Sequence, residues 1–313
     1  MQLLCPDIHD PAFNLALEEI LLKETADEFL ILSVNDTSVI FGKHQCPCRE
    51  IDIEYTFRNG IPLFRRISGG GTVYHDRGNL NFCFISNSEE GKQVDFGKYT
   101  RPLIDFLQSR RVPATLFGTS DIKANGKKIS GNAEHVFRKR VLHHGTILFD
   151  AALEKLRGSI RSDQSAYTSR AVASNPSSVA NLKDSLRSVP DLDGFKAEFA
   201  YFLLATIQGL EQSECDGTYL EKAEKLAESK YRTWEWNFAY GPDYGFQRSF
   251  LYKGIEHSCS FNVKKGIITE VQSQGSDEFV SATALIAGHR HLPEDLLSNE
   301  KPELPEEVIF NFF

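Results

Sequence analysis

The sequence predicts an α+β protein of two domains, a large one over residues 1–240 and a small one over residues 245–313. Three observations predict it. Short apolar runs rich in β-branched and aromatic residues (FLILSVN, SVIFGKH, IPLFRRI, TVYHD, LNFCFIS) are interspersed with stretches of helical periodicity. A chain of 313 residues has room for a large and a small core. The turn-forming cluster Gly241-Pro242-Asp243 then reads as a linker ahead of three further strand-like runs.

The first helix is predicted from Asp10 as N-cap and Pro11 at the first helical position, followed by Phe13, Ala16, Leu17, Ile20 and Leu21 at helical spacing. Glu18 and Glu19 are expected on its wet face. After the early strands an amphipathic helix is expected over Pro102 to Arg110, with Leu103, Ile104, Phe106 and Leu107 inward. Asn125-Gly126 is the strongest hairpin signal, because both residues tolerate positive φ, and it places Lys127 and Lys128 at the start of a strand. GTILFDA continues the strands. From Arg157 to Asp184 the chain turns Ser-rich and loses periodicity, which predicts a long loop, mobile when empty, of the kind that closes over ligands. Helices are expected at Phe195–Leu210 and Tyr219–Tyr231. Beyond the linker, QRSFLYKG, IEHSCSFNV and GIITEVQS read as a meander followed by a helix near Ser281–Gly288, enough for a small α+β domain.

Composition narrows the function classes. With 41% hydrophobic and 25% charged residues the chain is an ordinary soluble globular protein. A formal net charge of −8 argues against broad nucleic-acid binding. No apolar run is long enough to span a membrane, and MQLLCPDIHD lacks the regions of a signal peptide, so neither a membrane partner nor export is expected. Six cysteines without a disulfide-like spacing fit a reducing cytoplasm. Cys46 and Cys48 form a CxC pair with no second pair to complete a zinc site, and read as free thiols in a loop.

The chemistry concentrates in RRISGGGTVYHDRGNLNF, residues 65–82. Gly69, Gly70 and Gly71 are poor strand and helix formers, yet strands lead in and out of them, so the backbone must come close to something there. Without Cβ atoms such a run can turn amides toward an anion, while Arg65 and Arg66 supply planar, permanent cations suited to phosphate or carboxylate. A flexible turn flanked by surface arginines is the alternative. No GxxxxGK[ST] occurs, and a strand rather than a helix follows, so neither a Walker loop nor a dinucleotide fingerprint is present. The second feature is KKISGNAEHVFRKRVLHHGTILF. Alternation sends Lys127 and Lys128 to opposite faces, so only one can enter a pocket.

These two segments, with HHGT downstream, closely resemble the lipoate-protein ligase A family of the biotin and lipoate ligase superfamily. NLALEE, VIFGKHQ, SVANL and WEWNF extend the resemblance over nearly the whole chain. It implies a catalytic domain on a mixed, largely antiparallel sheet flanked by helices, followed by a small C-terminal accessory domain. It implies ATP as substrate with Mg²⁺, lipoic acid as the acid, and as acceptors the lipoyl domains of 2-oxoacid dehydrogenase E2 subunits or the glycine cleavage H-protein. The lysine of the KxSGxA pattern, here Lys128, is implied to contact both the acyl carboxyl group and the α-phosphate, leaving Lys127 outward. Arg65, Arg66, Ser68, Gly69, Gly70 and Gly71, with Gly131 and Ala133 of the second motif, are implied to line the lipoyl and adenylate pocket. His75, Asp76, Asn79 and His144 are implied to lie near it.

One departure touches the ATP half of the reaction. Where relatives commonly carry GRND, this chain has Gly118, Thr119, Ser120 and Asp121, which leaves Asp121 as the candidate Mg²⁺ partner. Two rivals remain: a superfamily transferase moving octanoyl or lipoyl groups through an acyl-cysteine, and a paralogue that binds lipoate without turning it over. Against the transferase stand the C-terminal domain and the lack of a matching cysteine, Cys83 lying in an apolar strand pattern. Arg138, Lys139 and Arg140 read as a solvated strand end.

Overall fold

A computed structural model describes residues 1–88, 94–175, 177–186, 188–298 and 304–313. Its strands in chain order are β1 (Gln2–Leu4), β2 (Phe29–Val34), β3 (Ser38–Phe41), β4 (Leu63–Arg65), β5 (Val73–His75), β6 (Asn79–Asn87), β7 (Ala114–Phe117), β8 (Asp121–Ala124), β9 (Lys127–Phe137), β10 (Arg140–Leu148), β11 (Tyr167–Ser169), β12 (Glu211–Gln212), β13 (Tyr244–Tyr252), β14 (Ile255–Lys264) and β15 (Ile267–Gln274). The main sheet runs in the order β12-β1-β2-β6-β10-β9-β8-β7. Among the described residues of this sheet only β1 pairs in parallel, with β2 and β12. The sheet is therefore mixed and largely antiparallel, with helices on both faces, as the sequence resemblance implies.

The period of two in β6 and β10 divides the side chains between two cores. Phe82, Phe84 and Val141 pack with Leu103, Phe106 and Leu107 of the helix Phe96–Ser109, and with Phe195 and Phe199 of the helix Leu192–Thr206. Cys83, Ile85 and Leu142 pack on the opposite face against Phe13, Ala16, Leu17, Ile20 and Leu21 of the first helix. That helix spans Pro11–Glu24, and Asp10 caps it by accepting from Ala12 N at 2.8 Å. Its supposed wet face does not exist. Glu18 and Glu19 are buried, because the sheet covers one side of the helix and the segment Gly217–Tyr231 covers the other. Glu19 is matched there by Lys23 at 2.5 Å and by Lys230 and Tyr231 at 2.6 Å each.

Other expectations shift at their edges. The second helix begins at Phe96 rather than Pro102, capped by Asp95 accepting from Lys98 N, and carries Pro102 within it. Asn125 (φ 50°) and Gly126 (φ 77°) make the predicted tight turn between β8 and β9. Arg140 is not a solvated strand end: it turns inward and donates to Asp27 O at 2.6 Å and Asn87 Oδ1 at 3.1 Å. The Ser-rich stretch holds the end of the helix Leu153–Ser159, the strand β11 and a parallel bridge between Lys128 and Val179. Short-range periodicity misses these because each is held by residues far away in the chain.

β11 joins β13, β14 and β15 in a second sheet, so part of the Ser-rich stretch builds the C-terminal sheet domain. The helix after the meander spans Asp277–Ala284, four residues ahead of the expected place, since Ser276 accepts from Phe279 N and caps it. Phe246, Phe261 and Val263 share one core with Phe41, Ile51, Ile53 and the chain's last residues Phe310, Phe312 and Phe313. His291 sits at its centre. Its Nε2 donates to Phe312 O at 2.8 Å, its Nδ1 accepts from the Tyr244 hydroxyl at 2.5 Å, and its ring stacks on Phe313. Among the described residues no helix is long and apolar enough to cross a membrane.

Burial pushes His291 down to about 4 from the usual 6.5. Between those values the unfolded chain takes a proton that the folded chain refuses. Stability is therefore full above pH 6.5 and falls as the pH drops toward 4, by about 3 kcal/mol for this group at most. Urea unfolding at pH 7.5 and pH 5 checks this, with a shallower pH dependence expected for His291→Gln.

Candidate active site

A cavity of about 590 Å³ opens between the first helix, the sheet face bearing β2, β6, β10 and β9, the glycine run and the Ser-rich stretch. Its walls bring together Arg66, Gly70, Gly71, His75, Asp121, Lys128, Gly131, Ala133 and His144. The two motifs singled out in the sequence thus converge on one space.

At the glycine run the backbone does come close. A Cβ on Gly42 would lie 2.3 Å from Gly70 O, and Gly70 itself takes φ +83°. Arg66 shapes the loop: its guanidinium donates to Gly69 O at 2.5 Å, Gly71 O at 2.7 Å and Ile40 O at 3.2 Å, and its Nε donates to Ser68 Oγ at 2.9 Å. Burial lowers Arg66 to about 10, still well above neutral, so it stays a cation. The nearby negative charge is Glu18. Ser68 Oγ lies 2.7 Å from His144 Nε2, and His144 Nδ1 lies 2.8 Å from Glu18 Oε2. The Glu18 carboxylate accepts from Nδ1–H, and with that tautomer Ser68 donates to Nε2 while accepting from Arg66, a continuous hydrogen-bonded chain from cation to anion.

Arg65 has a different task. It is fully buried and donates to the carbonyls of Gly42, Lys43, Gln45, Trp236 and Asn237 at 2.7–3.3 Å. Neither Arg65 nor Ser68, Gly69, Asp76 or Asn79 forms part of the cavity wall. Asp76 braces a turn, accepting from Gly78 N at 2.9 Å and Ala152 N at 2.8 Å. Asn79 donates to Asn81 Oδ1 at 2.8 Å.

Lys128 turns into the cavity and Lys127 is exposed, as alternation requires. Lys128 Nζ pairs with Asp121 Oδ1 at 2.8 Å and lies 3.0 Å from where a Cβ on Gly131 would stand. Gly131 is thus the gap that lets the amine lie against the strand. The departing segment Gly118–Asp121 still forms wall, because Ser120 O holds both Asn132 N and Nδ2.

Residues 172–175 of the Ser-rich stretch close one side of the mouth. Ser174 ties them down: its hydroxyl accepts from Gln45 Nε2 at 2.9 Å and Thr72 N at 3.0 Å, and its amide donates to Glu50 Oε2 at 3.0 Å. Sequence reasoning missed Glu18, Gln45, Glu50 and Ser174. Only Glu18, a charged residue inside the apolar run NLALEEILL, left a signal in the sequence.

Cys83 is buried beside Glu18, and its thiol is pushed well above the usual value by that burial and by the carboxylate. Among the described residues no cysteine lines the cavity. Cys46 and Cys48 are buried too, with Cys48 pushed up to about 11.

The family model for the lipoyl protein ligase A/B catalytic domain matches residues 10–203. Lipoate–protein ligase 1 of Staphylococcus aureus is 35% identical over 274 residues, spanning 86% of this chain and 82% of that protein. Lipoate-protein ligase LplJ of Bacillus subtilis is 33% identical over 273 residues, with the same coverage of 86% and 82%. A crystal structure of lipoate-protein ligase A bound with ATP superposes with TM-score 0.64 at 26% identity, covering 75% of this chain and 97% of that one. A T. acidophilum structure with bound lipoic acid gives 0.63 at 25% identity, covering 75% and 98%.

Removing Arg65 orphans five buried carbonyls. Arg65→Ala is expected to cost about 3–5 kcal/mol in denaturant unfolding. Arg65→Lys should recover little of it, since a point cation cannot span five acceptors.

Proposed function

The chain belongs to the lipoate-protein ligase A family, and from that premise we infer that it is an ATP-dependent ligase that joins lipoate to a lysine of an acceptor protein through lipoyl-adenylate. The observation that carries this reading is the convergence of Lys128 and the Arg66-organised glycine run on one cavity. In the first step a carboxylate oxygen of lipoate attacks the α-phosphorus of ATP, and the bond to pyrophosphate breaks. In the second, the acceptor amine attacks the acyl carbon and AMP leaves. Neither step needs a protein nucleophile.

Such chemistry asks the protein to bring two anions together and neutralise the charge that grows between them. Lys128 is the cation placed for this. Asp121 pairs with it at 2.8 Å and so orients the amine toward the carboxylate and α-phosphate. Magnesium would supply charge neutralisation on the triphosphate. Asp121, one carboxylate at the cavity wall beside Lys128, fits a cation that takes one or two carboxylates and completes its shell with phosphate oxygens and water. The Ser174 strap excludes water from the mixed anhydride. Lipoyl domains of 2-oxoacid dehydrogenase E2 subunits, or the glycine cleavage H-protein, are the proposed acceptors. The acyl-cysteine route is disfavoured by the buried, unreactive Cys83.

Lipoate-dependent exchange of labelled pyrophosphate into ATP, followed by the mass gain of a lipoyl-domain acceptor, tests the reading. Lys128→Ala should lose about 100-fold or more in exchange rate, roughly 3 kcal/mol of transition-state stabilisation. Lys127→Ala should stay close to wild type, and equal rates for the two would refute the assignment. Trypsin should cut at the exposed Arg170 more slowly once ATP and lipoate are present, whereas equal cutting would remove the strap from the mechanism.

A further inference from the structure

The cavity has a far end that the adenylation chemistry does not use. Gly131 on β9 donates to Thr146 Oγ1 of β10, and Thr146 pairs with Asn81 of β6, which pairs with Ser33 of β2. All four residues line the cavity in one row across four strands. Strands lie about 4.8 Å apart, so Ser33 is roughly 14 Å from Gly131. Lys128 Nζ lies against Gly131. A medium-length acid with its carboxylate on that amine therefore extends along the row toward Asn81 and Ser33.

That end is polar, and the hydrogen bonds around it fix which atoms donate. Asn14 Nδ2 donates to Ile8 O at 2.8 Å and to Asn35 Oδ1 at 2.7 Å, and Asn35 Nδ2 donates to His75 Nδ1 at 2.9 Å. With Nδ1 accepting, the ring proton of His75 sits on Nε2. Asn81 Oδ1 is occupied by Asn79, which leaves the Asn81 amide nitrogen as a donor. His75 Nε2 and Asn81 Nδ2 are buried donors without a hydrogen-bonding partner, and Asn14 Oδ1 on the same wall is a buried acceptor without one. Burial drops His75 to about 3, so it remains a neutral donor throughout the working range. Two buried donors without acceptors on the wall of a ligand cavity call for an acceptor from the ligand.

We propose that His75 and Asn81 select the acid by its tail, favouring acids that end in a hydrogen-bond-accepting heteroatom over those that end in a methyl group. This rests on the ligase reading and deepens it. The sulfurs of a dithiolane are weak acceptors that meet the two donors. A straight alkyl chain such as octanoate leaves both buried and unpaired, a mismatch that sites built for hydrogen bonding penalise.

The test measures pyrophosphate exchange with lipoate and with octanoate for wild type, Asn81→Leu and His75→Phe, alongside calorimetric binding of each acid. Wild type should favour lipoate in kcat/KM by about tenfold or more. At least one variant should narrow that ratio to about threefold or less, with the same trend in Kd. Circular dichroism checks folding, and if one variant is unfolded the other decides; if neither folds, Ser33→Val, at the end of the same row, takes their place. Lipoate exchange in wild type with octanoate equally good overturns the inference alone, as does a large ratio that the folded variants leave unchanged. No lipoate-dependent exchange in wild type overturns the ligase reading beneath it.

Discussion

Arg66 is the group on which the site depends. A guanidinium stripped of water is tolerated only when each face of its fork finds an acceptor and a counter-charge stands nearby. Its acceptors are the carbonyls of Gly69, Gly71 and Ile40, so satisfying the cation and folding the glycine run are one event. Its counter-charge is Glu18, reached through Ser68 and His144. The first helix, the glycine run and β10 are thereby locked in register around the cavity they line.

Arg65, its neighbour, works outward from the same place. Its five carbonyl partners come from the turn after β3 and from the segment Trp236–Asn237, more than 170 residues away. Asn237 returns the contact by accepting from Arg65 N at 2.7 Å. Arg65 is the last residue of β4 and Arg66 the first beyond it, and the two arginines of one motif are divided between holding the chain's later segments and shaping the cavity. The Ser-rich stretch is divided in the same way, with β11 in the C-terminal sheet and Ser174 at the cavity mouth. A contact in one sheet is thus covalently continuous with the wall of the site.

Several features were legible in the sequence because they are local. Asp10 and Pro11 start a helix through their own backbone preferences, Asn125-Gly126 makes its turn through positive φ, and strand alternation alone separates Lys127 from Lys128. The resemblance carried the family and the mixed sheet, which were then found. Glu18 was misplaced on a wet face since helical periodicity reports one buried stripe and cannot see a second layer packed on the other side. Arg140 was misplaced for a similar reason: its partners, Asp27 and Asn87, lie on other segments.

What the sequence by itself determined was the chemistry at hand: a glycine run beside arginines, a lysine at a strand start, and a chain built of helices and largely antiparallel strands. What only the tertiary structure decided was the assignment of those groups: which arginine faces the cavity, which carboxylate balances it, and which buried donors at the far end, on His75 and Asn81, have no partner. The physical reason is that burial and hydrogen-bond satisfaction are properties of space rather than of neighbours in the chain. Ser33, Asn81, Thr146 and Gly131 look unrelated in the sequence, and strand pairing sets them side by side along one wall.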